Sequence, residues 1–120
     1  MREELTIPRI HELVLLSEAT YRSITQYYLD RISKYNHALR AVIEINPDAI
    51  RQAQAADEVL GRNKDLARGM FGIPVLIKDN ISTRDKMQTC AGSLALEGAK
   101  PRKDAFLVKK LRDAGGKDLY

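Results

Sequence analysis

Apolar residues recur at helical spacing in the first part of the chain. Thr6 and Pro8 are typical of a helix start, and the apolar positions after them predict a first helix that ends near Glu18. A second helix is predicted from about Ser23 to about Asn36, because apolar residues three or four positions apart form one face. That face consists of Ile24, Tyr27, Tyr28, Ile32 and Tyr35. We expect its tyrosines to be core residues rather than a ligand site.

The middle of the chain combines a strand pattern with a strong helix start. Residues 41–45 alternate well enough to predict a short strand. The Asn-Pro-Asp sequence at 46–48 then predicts a helix start, with an asparagine cap and a proline in the first turn. This third helix should run to about Leu60 and stop at Gly61, which is placed to be a left-handed cap. We expect it to bury a face that contains Ala49, Ala53 and Ala56.

The apolar run Phe71–Ile81 is the strand around which the fold should be organised. It is short, rich in β-branched residues and bounded by Gly and Pro, which is typical of a buried strand. It ends abruptly in Lys78, Asp79 and Asn80. A lysine that leaves an apolar wall is in a place where its amine can be tuned for chemistry.

The last third of the chain predicts loops followed by one helix. Residues 82–86 are polar, and the small residues of Thr89–Ser93 indicate a tight turn or, alternatively, a close approach to a substrate. Asp104 should cap or open a final helix that Gly115 ends, with apolar positions at Phe106, Leu107, Val108 and Leu111. The order of elements predicts an α/β or α+β fold, and the length of 120 residues predicts a single domain, 1–120.

Composition and charge argue against several classes of protein. Apolar residues make up 44% of the chain, which argues against disorder, and no apolar run approaches the ~20 residues that span a bilayer. No apolar stretch follows Met1–Glu4, so we expect a cytoplasmic protein without a membrane partner. The net charge of +4 is scattered, and the basic cluster at 100–103 favours a solvated loop over a nucleic-acid site. Cys90 is the only cysteine, so no internal disulfide is possible.

The two histidines give little sign of a site. His37 follows the second helix and is expected near its C-terminus, where partial positive charge is favourable. His11 is expected to be a surface or interface residue. We expect neither a cofactor nor a metal ion.

On residue chemistry alone, Lys78 is a weak candidate for catalysis. A lysine at a strand end is usually solvated or paired with a neighbouring acid, here Asp79. Ser82, Thr83 and Ser93 could supply the hydroxyl of a Ser–Lys arrangement, but their spacing does not place a hydroxyl on the amine.

Three segments in a fixed order resemble the N-terminal part of the amidase signature family. They are Gly72–Ile81 (GIPVLIKDNI), Thr89–Leu96 (TCAGSLAL) and Asp104–Gly115 (DAFLVKKLRDAG). Residues 28–32 and 41–49 also resemble it, so that the likeness runs from about residue 24 to residue 115. The family hydrolyses amides, or transfers the ammonia so released, through a Ser–cis-Ser–Lys triad, and includes enzymes like the glutamyl-tRNA amidotransferases.

The resemblance implies a role for four residues of this chain. Lys78 would be the general base, kept neutral by burial and positive neighbours, and would take a proton through the cis serine from the nucleophilic serine. Asp79 would orient the strand end, and Gly92 and Ser93 would pack close to the active site.

The two serines that the family requires have no counterpart in this sequence. They lie in a Gly/Ser-rich loop of the form G-G-S-S-G-G, whereas the serines here are Ser17, Ser23, Ser33, Ser82 and Ser93, none in such a context. After Gly115 the family continues with a small apolar strand, while residues 116–120 are polar. We therefore expect an N-terminal amidase fragment, produced by an early stop or a frame shift near Gly116.

Three functional interpretations follow. The first is an amidase fragment that is inactive alone, and the second is a fragment that completes an active site with a separately encoded remainder. The third is a small self-associating binding or scaffold protein that has kept the fold for another use. Truncation would leave apolar faces and strand edges bare, which predicts a homodimer, with or without exchanged elements.

Overall fold

The structure is a computed structural model that describes the backbone of residues 4–118 and the side chains of residues 4–116. Its described helices and strands are α1 (Ile7–Leu15), α2 (Tyr21–Leu39), α3 (Ala49–Arg62), β1 (Pro74–Val75), α4 (Phe106–Asp113) and β2 (Lys117–Asp118). Short 3₁₀ turns occupy Lys64–Leu66 and Leu94–Leu96. The expectations about a leader segment and about the polar chain end rest partly on residues 1–3 and 119–120, which lie outside the described residues.

Side-chain caps define where the first two helices begin. The Thr6 hydroxyl accepts a hydrogen bond from the Arg9 N–H at 3.3 Å, which confirms the predicted start of α1. The start of α2 is Tyr21 rather than Ser23, because Thr20 and Ser23 each bind the other's backbone N–H in a capping box. The end of α1 is Leu15, earlier than predicted, since Ser17 takes a φ of 60° and turns the chain.

Residues 41–45 do not form the predicted strand, because the side chain of Asn36 binds the backbone at the start of this segment. Its Oδ1 accepts hydrogen bonds from the N–H groups of Ala41 and Val42, at 3.0 and 2.9 Å, and its Nδ2 donates to the Val42 carbonyl at 2.7 Å. These backbone groups are therefore not free to pair with a neighbouring strand, and the prediction was wrong. Helix α2 passes Asn36 and ends at Leu39, with His37 exposed in its last turn, as predicted.

The core lies between the first three helices and the segment that leads into β1. It consists of Ile10, Val14, Tyr21, Ile24, Ala53, Ala56, Leu60 and Ile73. The predicted alanine-rich face of α3 is thus confirmed. The Asp57 carboxylate also accepts the N–H groups of Tyr21 and Arg22, at 2.8 and 3.0 Å, and so ties the first turn of α2 to α3.

The predicted apolar face of α2 is buried only at its beginning. Ile24 is fully buried and Tyr28 partly, but Tyr35 is 41% exposed and lies beside the cations of Arg31 and Lys34. The core role predicted for Tyr35 was therefore wrong, because the second half of the helix extends beyond the elements that pack against its first half.

Helix α3 agrees with the prediction in part at its start but not at its end. The Asn46 side chain accepts the Asp48 N–H at 2.9 Å just before the helix, whereas the Asp48 carboxylate binds Lys86 and Arg51 instead of capping. The helix continues through Gly61 to Arg62. Gly61 is not among the described glycines with a positive φ, so its predicted role as a left-handed cap was wrong.

The expected central strand is much shorter than the apolar run that predicted it. Among residues 4–118, only Pro74 and Val75 of this run pair with another strand, in parallel with Lys117 and Asp118. The neighbouring Gly72 N–H donates to the Gly115 carbonyl at 2.8 Å. Leu76, the next residue, is 63% exposed. The expectation of a strand buried up to Lys78 was wrong, since within the described residues β1 has one partner strand and bare surface beyond it.

Helix α4 follows the prediction at its end but not at its start. Gly115, with a φ of 87°, terminates it, and Val108 is fully buried. The Asp104 carboxylate does not cap the helix but accepts the Arg84 N–H at 2.6 Å and lies 3.5 Å from Arg112 Nε. Phe106 and Leu107, two of its predicted apolar positions, are 77% and 51% exposed.

His11 is a core residue, and the expectation of a surface position was wrong. It is 7% exposed, with Nδ1 2.9 Å from the Tyr21 hydroxyl and Nε2 3.0 Å from the Gly69 carbonyl oxygen. A carbonyl only accepts hydrogen bonds, so Nε2 carries a proton, and in the neutral ring Nδ1 then accepts from the Tyr21 hydroxyl. The pKa of Tyr21 is raised to about 12, mainly by burial and then by the charge of Asp57, so the hydroxyl stays a donor.

Replacing His11 by leucine should lower the free energy of unfolding by about 2 kcal/mol, because a buried hydroxyl and a carbonyl lose their partner. Urea denaturation followed by circular dichroism measures this. In the His11→Leu/Tyr21→Phe double variant the hydroxyl is gone as well, so the loss should be smaller than the sum of the two single losses. Additive losses would show that the two side chains are not coupled.

Candidate active site

Lys78 lies at the end of an extended segment, just beyond β1. Its carbonyl accepts the Ile81 N–H at 2.9 Å, which closes a turn over residues 78–81. The side chain is exposed, so the described part of the chain does not supply the burial that the family resemblance implies for a neutral base. No carboxylate among residues 4–116 forms an ion pair with its ammonium group, and the alternative of a pair with Asp79 is not realised.

Asp79 is turned away from Lys78 and towards the loop of small residues. Its Oδ1 accepts the Cys90 N–H at 3.1 Å, its Oδ2 accepts the Cys90 thiol at 3.0 Å, and its carbonyl accepts the Ala91 N–H at 3.0 Å. Donation by the thiol, then by the Cys90 N–H and the amides of Gly92 and Ala91, lowers the pKa of Asp79. Conversely, donation to the carboxylate raises the pKa of the Cys90 thiol.

Replacing Asp79 by asparagine should make Cys90 react several-fold faster with iodoacetamide at pH 8. The carboxylate raises the thiol pKa, so its loss lowers that pKa and increases the fraction of reactive thiolate. The pH profile of the alkylation rate should move to lower pH by the same change. Glu97→Gln is the matched control, since Glu97 has the smallest of the effects on this thiol. Equal rates in Asp79→Asn and the unchanged chain would contradict the hydrogen bond.

The loop over residues 89–93 is the tight turn that was predicted. Ala91 and Gly92 take φ values of 49° and 74°, and the Ser93 N–H donates to the Cys90 carbonyl at 2.8 Å. A Cβ at Gly92 would meet no atom within 4 Å, so the glycine serves the backbone conformation rather than a close contact. Ser93 is exposed beside it.

The candidate hydroxyls do not assemble with the lysine. Thr83 is buried, and its hydroxyl donates to the Asp85 carboxylate at 3.1 Å. Ser82 contributes its carbonyl to the start of α4, where it accepts the Ala105 N–H at 2.8 Å. Among the described residues, no hydrogen bond therefore joins Lys78 to Ser82, Thr83 or Ser93.

An open cleft of about 660 Å³ lies beside the lysine. Three segments form its walls: residues 41–44, residues 76–81 and parts of residues 83–92, which include Lys78, Asp79 and Gly92. Glu44 joins two of these walls, because its carboxylate accepts the Gln88 N–H at 2.9 Å. Sequence reasoning missed the contributions of Glu44 and Cys90, since both depend on partners far away in the chain or across a turn.

The described residues hold no group of three or more His, Cys, Asp or Glu side chains that could bind a metal ion. Among the helices that the structure describes, none is long and apolar enough to cross a membrane.

Comparison with known proteins decides the family. The sequence profile of the family described as Amidase matches residues 23–117. The chain belongs to the amidase family. This confirms the resemblance that the segments around Lys78, Cys90 and Val108 indicated.

Relatives of known sequence and structure agree with this assignment. A probable amidase of Arabidopsis thaliana is 44% identical over 118 residues, which cover 94% of this chain and 22% of the relative. A glutamyl-tRNA(Gln) amidotransferase subunit from Exiguobacterium sibiricum is 36% identical over 91% of this chain and 22% of that protein. The crystal structure of the peptide amidase from Stenotrophomonas maltophilia is 42% identical and superposes with a TM-score of 0.87.

The likeness covers nearly all of this amidase chain but a small part of each relative. The superposition on the peptide amidase includes 97% of this chain and 24% of that structure. The chain therefore spans about a fifth to a quarter of the length of the relatives that it matches. The mostly helical structure with few strands corresponds to an N-terminal portion of such folds, which confirms the predicted α/β or α+β class.

Proposed function

We propose that this chain is the lysine-bearing part of an amidase that acts on carbon–nitrogen amide bonds, and that these 120 residues are inactive until the remaining part of an amidase covers their cleft. The observation that carries the proposal is the position of Lys78. It stands exposed at the wall of an open cleft, on a segment that superposes with a peptide amidase. An open, water-filled site is poor for acyl transfer, because oxyanion stabilisation depends on a water-excluded surrounding.

Each predicted site residue has a part in this proposal. Lys78 is the general base, and its amine accepts the proton that the nucleophilic serine gives up through the cis serine. Asp79 anchors the turn that carries Lys78, through its bonds to Cys90 and Ala91. Gly92 gives the neighbouring loop its left-handed turn, and Ser93 lies at its end, beside the cleft.

The two serines have to come from the part of an amidase that lies outside these 120 residues. The sequence holds no Gly/Ser-rich loop, the Thr83 hydroxyl donates to Asp85, and Ser93 is exposed. Without a nucleophile and an oxyanion hole, a lysine on its own gives little acceleration. We therefore expect no amide hydrolysis by the isolated chain.

Reconstitution tests the proposal. The downstream part of a related peptide amidase, starting after the region that matches this chain, is produced as a separate polypeptide and mixed with it. Ammonia release from a peptide amide should appear in the mixture and not with either part alone. Native mass spectrometry of the same mixture shows whether a complex has formed. A formed complex without hydrolysis would overturn the proposal, and so would lysine-dependent hydrolysis by this chain alone.

Exposed apolar side chains favour a second candidate, a self-associating binding or scaffold protein. Leu39, Ile43 and Leu76 are 71%, 72% and 63% exposed, and Ile43 and Leu76 line the same cleft. Exposed apolar surface promotes association. The occupant that we propose is a second copy of the chain, related by a two-fold axis. Light scattering at micromolar concentration should then give the mass of a dimer, which Leu39→Lys/Ile43→Lys reduces to that of a monomer. Leu94→Lys is the control, at a separate exposed site; a monomer in the unchanged chain would contradict this candidate.

A further inference from the structure

We propose that Cys90 is a positioning residue that holds the turn over residues 78–81 in place through the carboxylate of Asp79. The catalytic meaning of this role rests on the proposed function of Lys78, but the contact itself does not. Three hydrogen bonds join the turn to the loop, and all three involve Asp79 on one side and Cys90 or Ala91 on the other.

The loop is shaped to receive a carboxylate. Ala91 and Gly92 are consecutive residues with positive φ, at 49° and 74°, and the N–H groups of Cys90 and Ala91 donate to the carboxylate and to the carbonyl of Asp79. A positive φ is unfavourable for an alanine, so the conformation requires compensation from its surroundings. The carboxylate of Asp79 supplies it, since it lies where the amides of Cys90, Ala91 and Gly92 lower its pKa.

The Cys90 thiol adds a second hydrogen bond to the Asp79 carboxylate, beside the one from the backbone N–H. The Cys90 N–H binds Oδ1 at 3.1 Å and the Cys90 thiol binds Oδ2 at 3.0 Å, so one residue occupies both oxygens of the carboxylate. Two bonds to two oxygens define the rotation of the carboxylate plane, which a single bond leaves free. The same contact raises the thiol pKa, so the thiol remains a protonated donor at neutral pH.

The anchor at Asp79 also restrains the backbone of Lys78. Asp79 follows Lys78 directly, and both are part of the turn that the Ile81 N–H closes on the Lys78 carbonyl. Anchoring Asp79 by its side chain and by its carbonyl therefore defines where the Lys78 Cα lies. The lysine side chain remains exposed at the cleft and takes no part in the anchor. A base that must meet a serine from outside these residues benefits from a backbone that is already in place.

Backbone relaxation and amide exchange of the chain itself test this role. Three variants are compared: Cys90→Ala, which removes the thiol, Cys90→Ser, which restores a donor, and Lys100→Ala, an exposed control. In Cys90→Ala the Ala91 and Ile81 amides should exchange about 10-fold faster, a change that corresponds to the loss of one hydrogen bond to a charged group. The ¹⁵N order parameter of Lys78 should fall from about 0.85 towards 0.6.

The conservative variant distinguishes positioning from a general loss of stability. Cys90→Ser should return the exchange rates and the Lys78 order parameter to within about 3-fold and 0.1 of the unchanged chain. Exchange and mobility in Cys90→Ala equal to those in Lys100→Ala would overturn the proposal. Equal losses in the alanine and serine variants would do the same. None of these readouts involves amide hydrolysis, so a failure of the reconstitution experiment leaves this test intact.

Discussion

Replacing Lys78 by methionine is expected to lower amide hydrolysis in the reconstituted mixture by about 10³-fold, the usual contribution of a positioned general base. Methionine keeps the length of the side chain but cannot accept a proton. Because Lys78 is exposed in this chain and joins none of the described ion pairs, the substitution should leave the free energy of unfolding within about 0.5 kcal/mol of its original value. The measurement is the turnover number for a peptide amide, together with urea denaturation of the chain.

Two further variants sharpen the interpretation of that loss. Lys78→Arg keeps the positive charge but holds its proton at all accessible pH values, so it should be as inactive as the methionine variant. Lys100→Met changes an exposed lysine outside the cleft and should leave the turnover number unchanged. Activity retained in Lys78→Arg would show that the residue acts by its charge and not as a base.

Replacing Gly72 by alanine is expected to destabilise the chain by at least about 3 kcal/mol, a large part of the stability of a small domain. Gly72 has a φ of +69°, and an added Cβ would lie 2.6 Å from Cγ of Tyr21. The Tyr21 side chain cannot move aside, because it is fully buried and its hydroxyl binds His11. Strain in the backbone and overlap with a core ring therefore act together. Urea denaturation followed by circular dichroism gives the change in free energy.

Two other glycines separate these contributions. Gly69 also has a positive φ, 56°, but faces open space, so Gly69→Ala should cost only about 1 kcal/mol of backbone strain. Gly61 lies within α3 with no atom near its Cβ position, and Gly61→Ala should stabilise the chain by up to about 1 kcal/mol. If Gly72→Ala were no worse than Gly69→Ala, the contact with Tyr21 would not matter to stability.

Short-range chemistry explains which predictions from the sequence succeeded. The start of α1 depends on Thr6 and a backbone N–H three residues later, and both are visible in the sequence. The buried face of α3 follows from the spacing of its alanines. The family followed from three segments in a fixed order, which no single motif would have indicated.

The errors share a different cause. Residues 41–45 have a strand pattern, but the Asn36 side chain takes the backbone groups that a strand would use. His11 has no obvious chemical partner near it in the sequence, yet its ring is buried and forms hydrogen bonds with Tyr21 and Gly69. The apolar run at 71–81 predicts a long strand, and only two of its residues find a partner strand among the described residues.

By itself, then, the sequence determined the helices, the family and the identity of the candidate base. Helix caps and apolar spacing act within a few residues, and the order of motifs needs no coordinates. Only the tertiary structure decided that Lys78 stands exposed at an open cleft and that Asp79 turns to Cys90 instead of to the lysine. Those outcomes depend on which distant segments cover a residue and on which hydrogen-bond donors a loop presents. The spacing of residues along the chain contains no information about either.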